Sequence, residues 1–225
     1  MAGPTVIAVD GPAASGKTVV GRRLARRLGY RFLDTGARYR AVTLLALEQG
    51  IPLDDADALT RVAKEMDFQS IEHETDGGTP QVIVNGRDVS GEVRSPAVDR
   101  AVSQVSQVPG VRHALVGLQR DMARKGSIVM AGRDIGTVVL PDARLKVFLE
   151  ASAPVRARRR FEEMSQKGGS SRYEEVLADL ERRDKLDSER EISPLRPAAD
   201  AERIHTDGQS IDEVVERLWR LTARR

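Results

Sequence analysis

Apolar positions fall into two kinds of run along this chain, short and continuous or spaced at three to four residues, and the two kinds alternate. Thr5 to Val9 is a continuous β-rich run and predicts a buried strand. Val20, Leu24 and Leu28 then recur every fourth residue, which predicts a helix over Thr18 to Leu28. Tyr30 to Leu33 reads as a second strand. A helix is expected from about Ala37 to Gln49, stopped by Gly50 and Pro52, and another from Asp54 to Met66.

The period then changes. Between Phe68 and Val93, short alternating runs are broken by "DGGTP" and "NG", the signature of a small antiparallel insert. Helices resume over Ser95 to Ser106 and Gly110 to Arg124, followed by strands at Ser127 to Ala131 and Leu145 to Leu149. Two charged helices, Pro154 to Gln166 and Tyr173 to Arg190, flank "KGGSS". A proline-containing linker leads to a strand at Arg203 to Thr206. The last helix opens with "SIDE", where Ser210 and Glu213 have capping-box spacing. Strands alternating with helices predict an α/β fold with a parallel sheet covered by helices. Trp219, on the last helix, is expected in the core.

Composition changes this picture little. A chain of 225 residues, 40% hydrophobic and 31% charged, suits one well-buried globular domain. There is no cysteine, which excludes disulfides and thiolate metal sites and suits a cytoplasmic location. No signal peptide or membrane span is expected. Net charge is only +2, but arginine supplies nearly all of the basic total. Its planar fork matches phosphate oxygens. His73, His113 and His205 are too scattered to predict a metal site.

Candidate chemistry is concentrated first at "GPAASGKT", residues 11 to 18, which fits G-x-x-x-x-G-K-[ST] between a strand and a helix. In such a loop the backbone N–H groups of Gly11, Pro12's successors Ala13, Ala14, Ser15 and Gly16, and the helix N-terminus cradle phosphates. Lys17 reaches the β- and γ-phosphates, and the Thr18 hydroxyl is the expected Mg²⁺ ligand. A nucleoside triphosphate is therefore the predicted ligand.

The loop alone does not choose among kinases, switches and motors. No N-K-x-D signature is present, against a GTPase. The strand at 127 to 131 ends in Gly132-Arg133-Asp134, so an arginine stands beside the acid where a second phosphate could be held. An arginine-rich RNA binder is the alternative outside enzymes. Aromatic content of 4% and the lack of an R-G-F type stacking motif argue against it.

"DTGARYRA" at 34 to 41, "DVSGEVRSPAVDRAVSQVSQVPGVR" at 88 to 112, "AGRDIGTVVLPDA" at 131 to 143, "RRDKLDSERE" at 182 to 191 and "PLRPAADA" together resemble bacterial cytidylate kinase. The resemblance covers the chain in order. It implies the P-loop nucleoside monophosphate kinase fold: a five-stranded parallel sheet, a monophosphate-binding insert at about 67 to 94 and an arginine-rich lid at about 154 to 172. It also implies a monomer that uses ATP with Mg²⁺ to phosphorylate CMP or dCMP, with UMP or another small acceptor as the alternative. Neither nucleic acid nor membrane is an expected partner.

The same resemblance assigns residues. Arg133 matches a phosphate-contacting arginine, and Asp134 matches the acceptor for the cytosine amino group. Thr35 and Arg40 match base-side and phosphate contacts, Ser103 and Arg112 the readers of the cytosine ring. Thr35 stands where serine is usual, and Arg38 where an apolar residue is common. Arg183, Asp187 and Arg190, at i, i+4 and i+7, share one helix face; the first two match ribose contacts, the third a phosphate contact. Asp187 is expected to pair with Arg183. In the lid, Arg156, Arg159 and Arg160 can face the same way and are candidates for the ATP phosphates.

Overall fold

A computed structural model describes residues 5–71, 80–166 and 171–223. Five strands, β1 (Val6–Asp10), β2 (Arg31–Asp34), β6 (Ile128–Gly132), β7 (Leu145–Glu150) and β8 (Glu202–His205), form one sheet in the order β2-β6-β1-β7-β8. The β1/β6, β1/β7 and β7/β8 pairs are parallel, in registers Val6 with Ile128, Ile7 with Leu145 and Val147 with Glu202. β6 is buried at every position, as a strand covered on both faces must be. This is the parallel α/β sheet that the alternation predicts.

The chain divides into two compact units. The first holds residues 1–33 and 123–225, the second residues 34–122. In the first unit, α1 (Lys17–Leu28) ends on Gly29, whose left-handed backbone lets its N–H close on Ala25 and Arg26. α1 packs with α8 (Ile211–Ala223) over Ile7, Val9, Val129, Leu149 and Ile204. The Ser210–Glu213 capping box forms as expected: each backbone N–H donates to the other's side chain, at 2.8 and 3.3 Å. α6 (Ala153–Gln166) and α7 (Tyr173–Glu189) enclose a smaller cluster of Ala13, Ala157, Val176 and Leu180.

Trp219 departs from its expected place. It is 37% exposed, and the Arg27 guanidinium lies over its ring at 4.1 Å. α8 turns Val214, Val215 and Leu218 inward instead, and Trp219 falls on the seam with α1. The cation stacked on one ring face replaces apolar contact.

In the second unit, α2 (Thr35–Glu48), α3 (Ala56–Glu65), α4 (Pro96–Val105) and α5 (Pro109–Arg124) surround the antiparallel sheet β3 (Phe68–Ile71), β4 (Gln81–Val84) and β5 (Arg87–Asp88). α2 starts two residues earlier than its apolar period suggests, because the Asp34 side chain caps it by accepting from the Gly36 N–H. Ser95 caps α4, with Pro96 as its first residue. The Asn85-Gly86 pair makes the β4–β5 turn with both residues at positive φ, 50° and 77°. Most of the "DGGTP" and "KGGSS" segments, and His73, lie outside the described residues.

Candidate active site

The loop after β1 has the backbone a phosphate cradle needs. Gly11 has φ 154°, and a Cβ there would come within 2.4 Å of the Leu149 carbonyl oxygen. Gly16, at φ 91°, leads directly into the first turn of α1. Lys17 is buried, and its Nζ donates to the Pro12 carbonyl at 2.9 Å. The Ser15 hydroxyl is buried to 1% exposure without a hydrogen-bond partner. A buried hydroxyl of that kind needs an acceptor, and a phosphate oxygen is one.

Mg²⁺ in phosphoryl-transfer sites takes few protein oxygens and completes its shell with phosphate and water. No group of three or more His, Cys, Asp or Glu gathers among the described residues. The half-buried Thr18 hydroxyl, next to Lys17, fits that sparse donor set.

β6 delivers Arg133 and Asp134 just beyond its carboxyl end, but they do not pair with each other in the way adjacency suggests. Arg133 Nε donates to Asp187 Oδ2 at 2.9 Å. Asp134 Oδ1 instead lies 3.7 Å from Arg190 Nη2. Asp134, Arg183, Asp187 and Arg190 are all buried. The hydrogen-bonded partner of Asp187 is Arg133 at the strand end, while Arg183, the expected partner, acts on it through its charge. Burial alone would raise the Asp187 carboxyl, but the Arg133 charge and hydrogen bond, then Arg190 and Arg183, hold it below the usual carboxylate range.

One member of this group was not anticipated. Asp10, the last residue of β1, is buried and accepts from the Ile135 and Gly136 N–H groups, each at 2.8 Å. Burial pushes its carboxyl up to about 6, against the lowering effect of those two donors. Its partners are backbone groups 125 and 126 residues away, so no side-chain motif announces it. The only signal in the sequence is an acid ending an apolar strand.

The three candidate arginines of α6, Arg156, Arg159 and Arg160, do not act as one face. Arg156 is buried and donates to the Ala13 and Ala151 carbonyls and to the Asp184 carboxylate. Arg159 donates to the Thr206 hydroxyl and carbonyl, at 3.1 and 2.7 Å. Arg160 pairs with Glu163 one turn on. Arg156 therefore braces the phosphate loop from behind through Ala13. Asp184 and Thr206 were not singled out from the sequence.

In the second unit, Arg40 donates to Asp99 at 2.6 Å and to the Val93 carbonyl at 3.1 Å. Thr35, Ser103 and Arg112 are buried. The Arg112 guanidinium stacks over Tyr39 at 5.5 Å and donates to the Ser106 carbonyl. Arg38 packs over the Phe68 ring at 4.5 Å and donates to the Met122 sulfur, and burial lowers its pKa. It fills an apolar position of α2 by stacking its planar face.

A family model described as cytidylate kinase matches residues 7–224. A cytidylate kinase of Mycolicibacterium paratuberculosis is 50% identical, covering 100% of this chain and 98% of its own. One from Nocardia farcinica is 49% identical, covering 98% and 94%. A crystal structure of an uncharacterized protein from Eubacterium ventriosum matches at TM-score 0.53 and 14% identity over 99% of both chains, a likeness of fold alone.

Proposed function

The chain belongs to the cytidylate kinase family, and on that premise we propose that it transfers the γ-phosphoryl group of ATP to CMP, and to dCMP, giving CDP or dCDP. The observation that carries this reading is the cluster of the half-buried Arg133 with the buried Asp134, Asp187 and Arg190, in the same unit as the loop at residues 11 to 18. Two guanidiniums suit the phosphate of the acceptor. The carboxylates suit its base and sugar.

Asp134 is assigned to the cytosine amino group. Cytosine offers two N–H hydrogens where uracil offers a carbonyl oxygen, so a carboxylate attracts one and repels the other. A buried acceptor facing an acceptor costs on the order of 1 to 3 kcal/mol. Arg183 and Asp187 are assigned to the ribose, Arg133 and Arg190 to the acceptor phosphate. The family pattern adds Thr35, Arg40, Ser103 and Arg112 to the CMP contacts.

On the donor side, Lys17 and the backbone of residues 11 to 18 hold the triphosphate. Thr18 would hold Mg²⁺ through its hydroxyl, and the ion would supply charge neutralisation for the transferred phosphoryl group. The attacking phosphate oxygen is already anionic, so no general base is required. Positioning and cation stabilisation of a loose transition state then account for the rate. Residues 154 to 172 are assigned as the lid, with Arg156, Arg159 and Arg160 on the donor, and residues 67 to 94 as the monophosphate-binding insert. The active form is a cytoplasmic monomer; no helix among the described residues is long and apolar enough to cross a membrane.

The test is ADP release across CMP, dCMP, UMP, AMP and GMP. CMP and dCMP should lead, with UMP weak. Highest turnover on AMP, or none on any of the five, would sink this reading.

A further inference from the structure

The peptide group between Asp134 and Ile135 is held at both ends. Its N–H donates to Asp10 Oδ1 at 2.8 Å, and its carbonyl accepts from the Val138 and Val139 N–H groups at 2.9 and 3.1 Å. The next N–H, of Gly136, is taken by Asp10 Oδ2 at 2.8 Å. One carboxylate therefore fixes two successive peptide planes, at the start of the single π turn Ile135–Val139. Glycine at 136 is part of the fit: a Cβ there would meet Lys146 Cγ and Cδ at 3.2 Å and Asp10 Oδ2 at 3.4 Å. Lys146 cannot easily yield, since it is buried and gives bidentate 2.9 Å bonds to Asp200.

Fixing the peptide that follows a residue fixes that residue's ψ, and with it the direction of its Cα–Cβ bond. Asp134 has φ −145° and ψ 26°, outside the regular helix and strand regions. The double acceptor holds that conformation, because hydrogen bonds to an ionised group are stronger than neutral ones.

We propose that Asp10 is a positioning residue for base recognition: through the Ile135 and Gly136 N–H groups it holds Asp134 in the one orientation that separates cytosine from uracil. This rests on the assignment of Asp134 to the cytosine amino group. Asp10 touches neither nucleotide in this scheme. It also immediately precedes Gly11, so the same residue joins the donor loop to the acceptor corner.

The test is the CMP-over-UMP ratio of kcat/KM in wild type, Asp10→Asn and Gly136→Ala, with a thermal melt and the ATP KM for each. Asparagine keeps the shape but turns an N–H₂ toward one of the two N–H donors. Gly136→Ala disturbs the same two bonds from the other side. Direct loss of a hydrogen bond to a charged group is typically about 10- to 150-fold. A relayed effect is expected near the low end, so the ratio should fall about tenfold in both variants. The loss should lie in the CMP KM, with the ATP KM changed less than about threefold. A folded variant with a lower melting temperature and an unchanged ratio would overturn the proposal. Loss of folding in both would also overturn it, since the clamp would then serve the core. A wild-type enzyme that fails to separate CMP from UMP would instead refute the reading of Asp134 itself.

Discussion

Arg133 and Asp187 stand 54 residues apart in the chain and meet at 2.9 Å, tying the end of β6 to the last turn of α7. Three arginines, Arg133, Arg183 and Arg190, act electrostatically on that one carboxylate. Its negative charge offsets the two buried arginines, Arg183 and Arg190, as well as the half-buried Arg133. A phosphate arriving beside Arg133 and Arg190 would find them already oriented.

Asp187→Ala should therefore do more than delete a sugar contact. Removing one partner of a fully buried pair typically costs about 3 to 5 kcal/mol of stability; with Arg133 partly exposed, the loss here should fall below that range. The kcat/KM for CMP should fall by about 10- to 150-fold, while the ATP KM changes little. Kinetics for both substrates, with a melt of the same preparation, check this. Wild-type CMP kinetics in the folded variant would remove Asp187 from the site.

Asp134→Asn should harm selectivity more than folding. The amide can rotate and donate to the uracil carbonyl, so the CMP-over-UMP ratio should fall, by roughly 10-fold or more. Competition between the two nucleotides in one reaction gives the ratio directly. An unchanged ratio would mean that another residue reads the base.

Lys17→Ala should lower kcat by about 100- to 1000-fold, the usual loss when a preorganised donor to developing charge is removed. The loop backbone should survive, because Gly11 and Gly16 set its shape. Single-turnover measurements separate the chemical step from release. A near-normal rate would show that the ammonium is not on the transferred group.

Asp10 and Asp187 should pull the pH dependence of stability in opposite directions. The Asp10 carboxyl is raised from 3.8 to about 6, so the folded state keeps a proton that the unfolded state gives up. Its contribution is present below about pH 4 and is lost as pH rises through about 6, a change of roughly 3 kcal/mol. Asp187 is lowered, so its contribution is present above the unfolded value and lost in acid. Denaturant midpoints between pH 4 and 7 should fall more steeply in wild type than in Asp10→Asn. Parallel curves would assign the slope to other groups.

The sequence made some of this legible and hid the rest for physical reasons. Residues 11 to 18 could be read because Gly11 and Gly16 answer to local backbone needs, and local needs leave local patterns. The capping box at Ser210 and the Asn85-Gly86 turn are readable for the same reason. The partner of Arg133 was not readable. Helical spacing puts Arg183 and Asp187 on one face, but it does not say what that face meets. Asp10 was hidden more deeply, since backbone N–H groups look alike in every sequence. The apolar period of α8 permits a core position for Trp219, but Val214, Val215 and Leu218 take the inward face and Arg27 covers the tryptophan ring.

Trp219 has a practical consequence. It is the chain's one tryptophan, and it lies on the α1–α8 seam under the Arg27 cation. Its emission is therefore a local reporter of that seam, whereas far-ultraviolet circular dichroism sums over every helix. If the two units unfold as one, the two signals trace a single curve in denaturant; if residues 34–122 loosen first, the dichroism departs while the fluorescence holds. The same side chain that failed to join the core gives this protein a built-in optical probe of whether its two halves melt together.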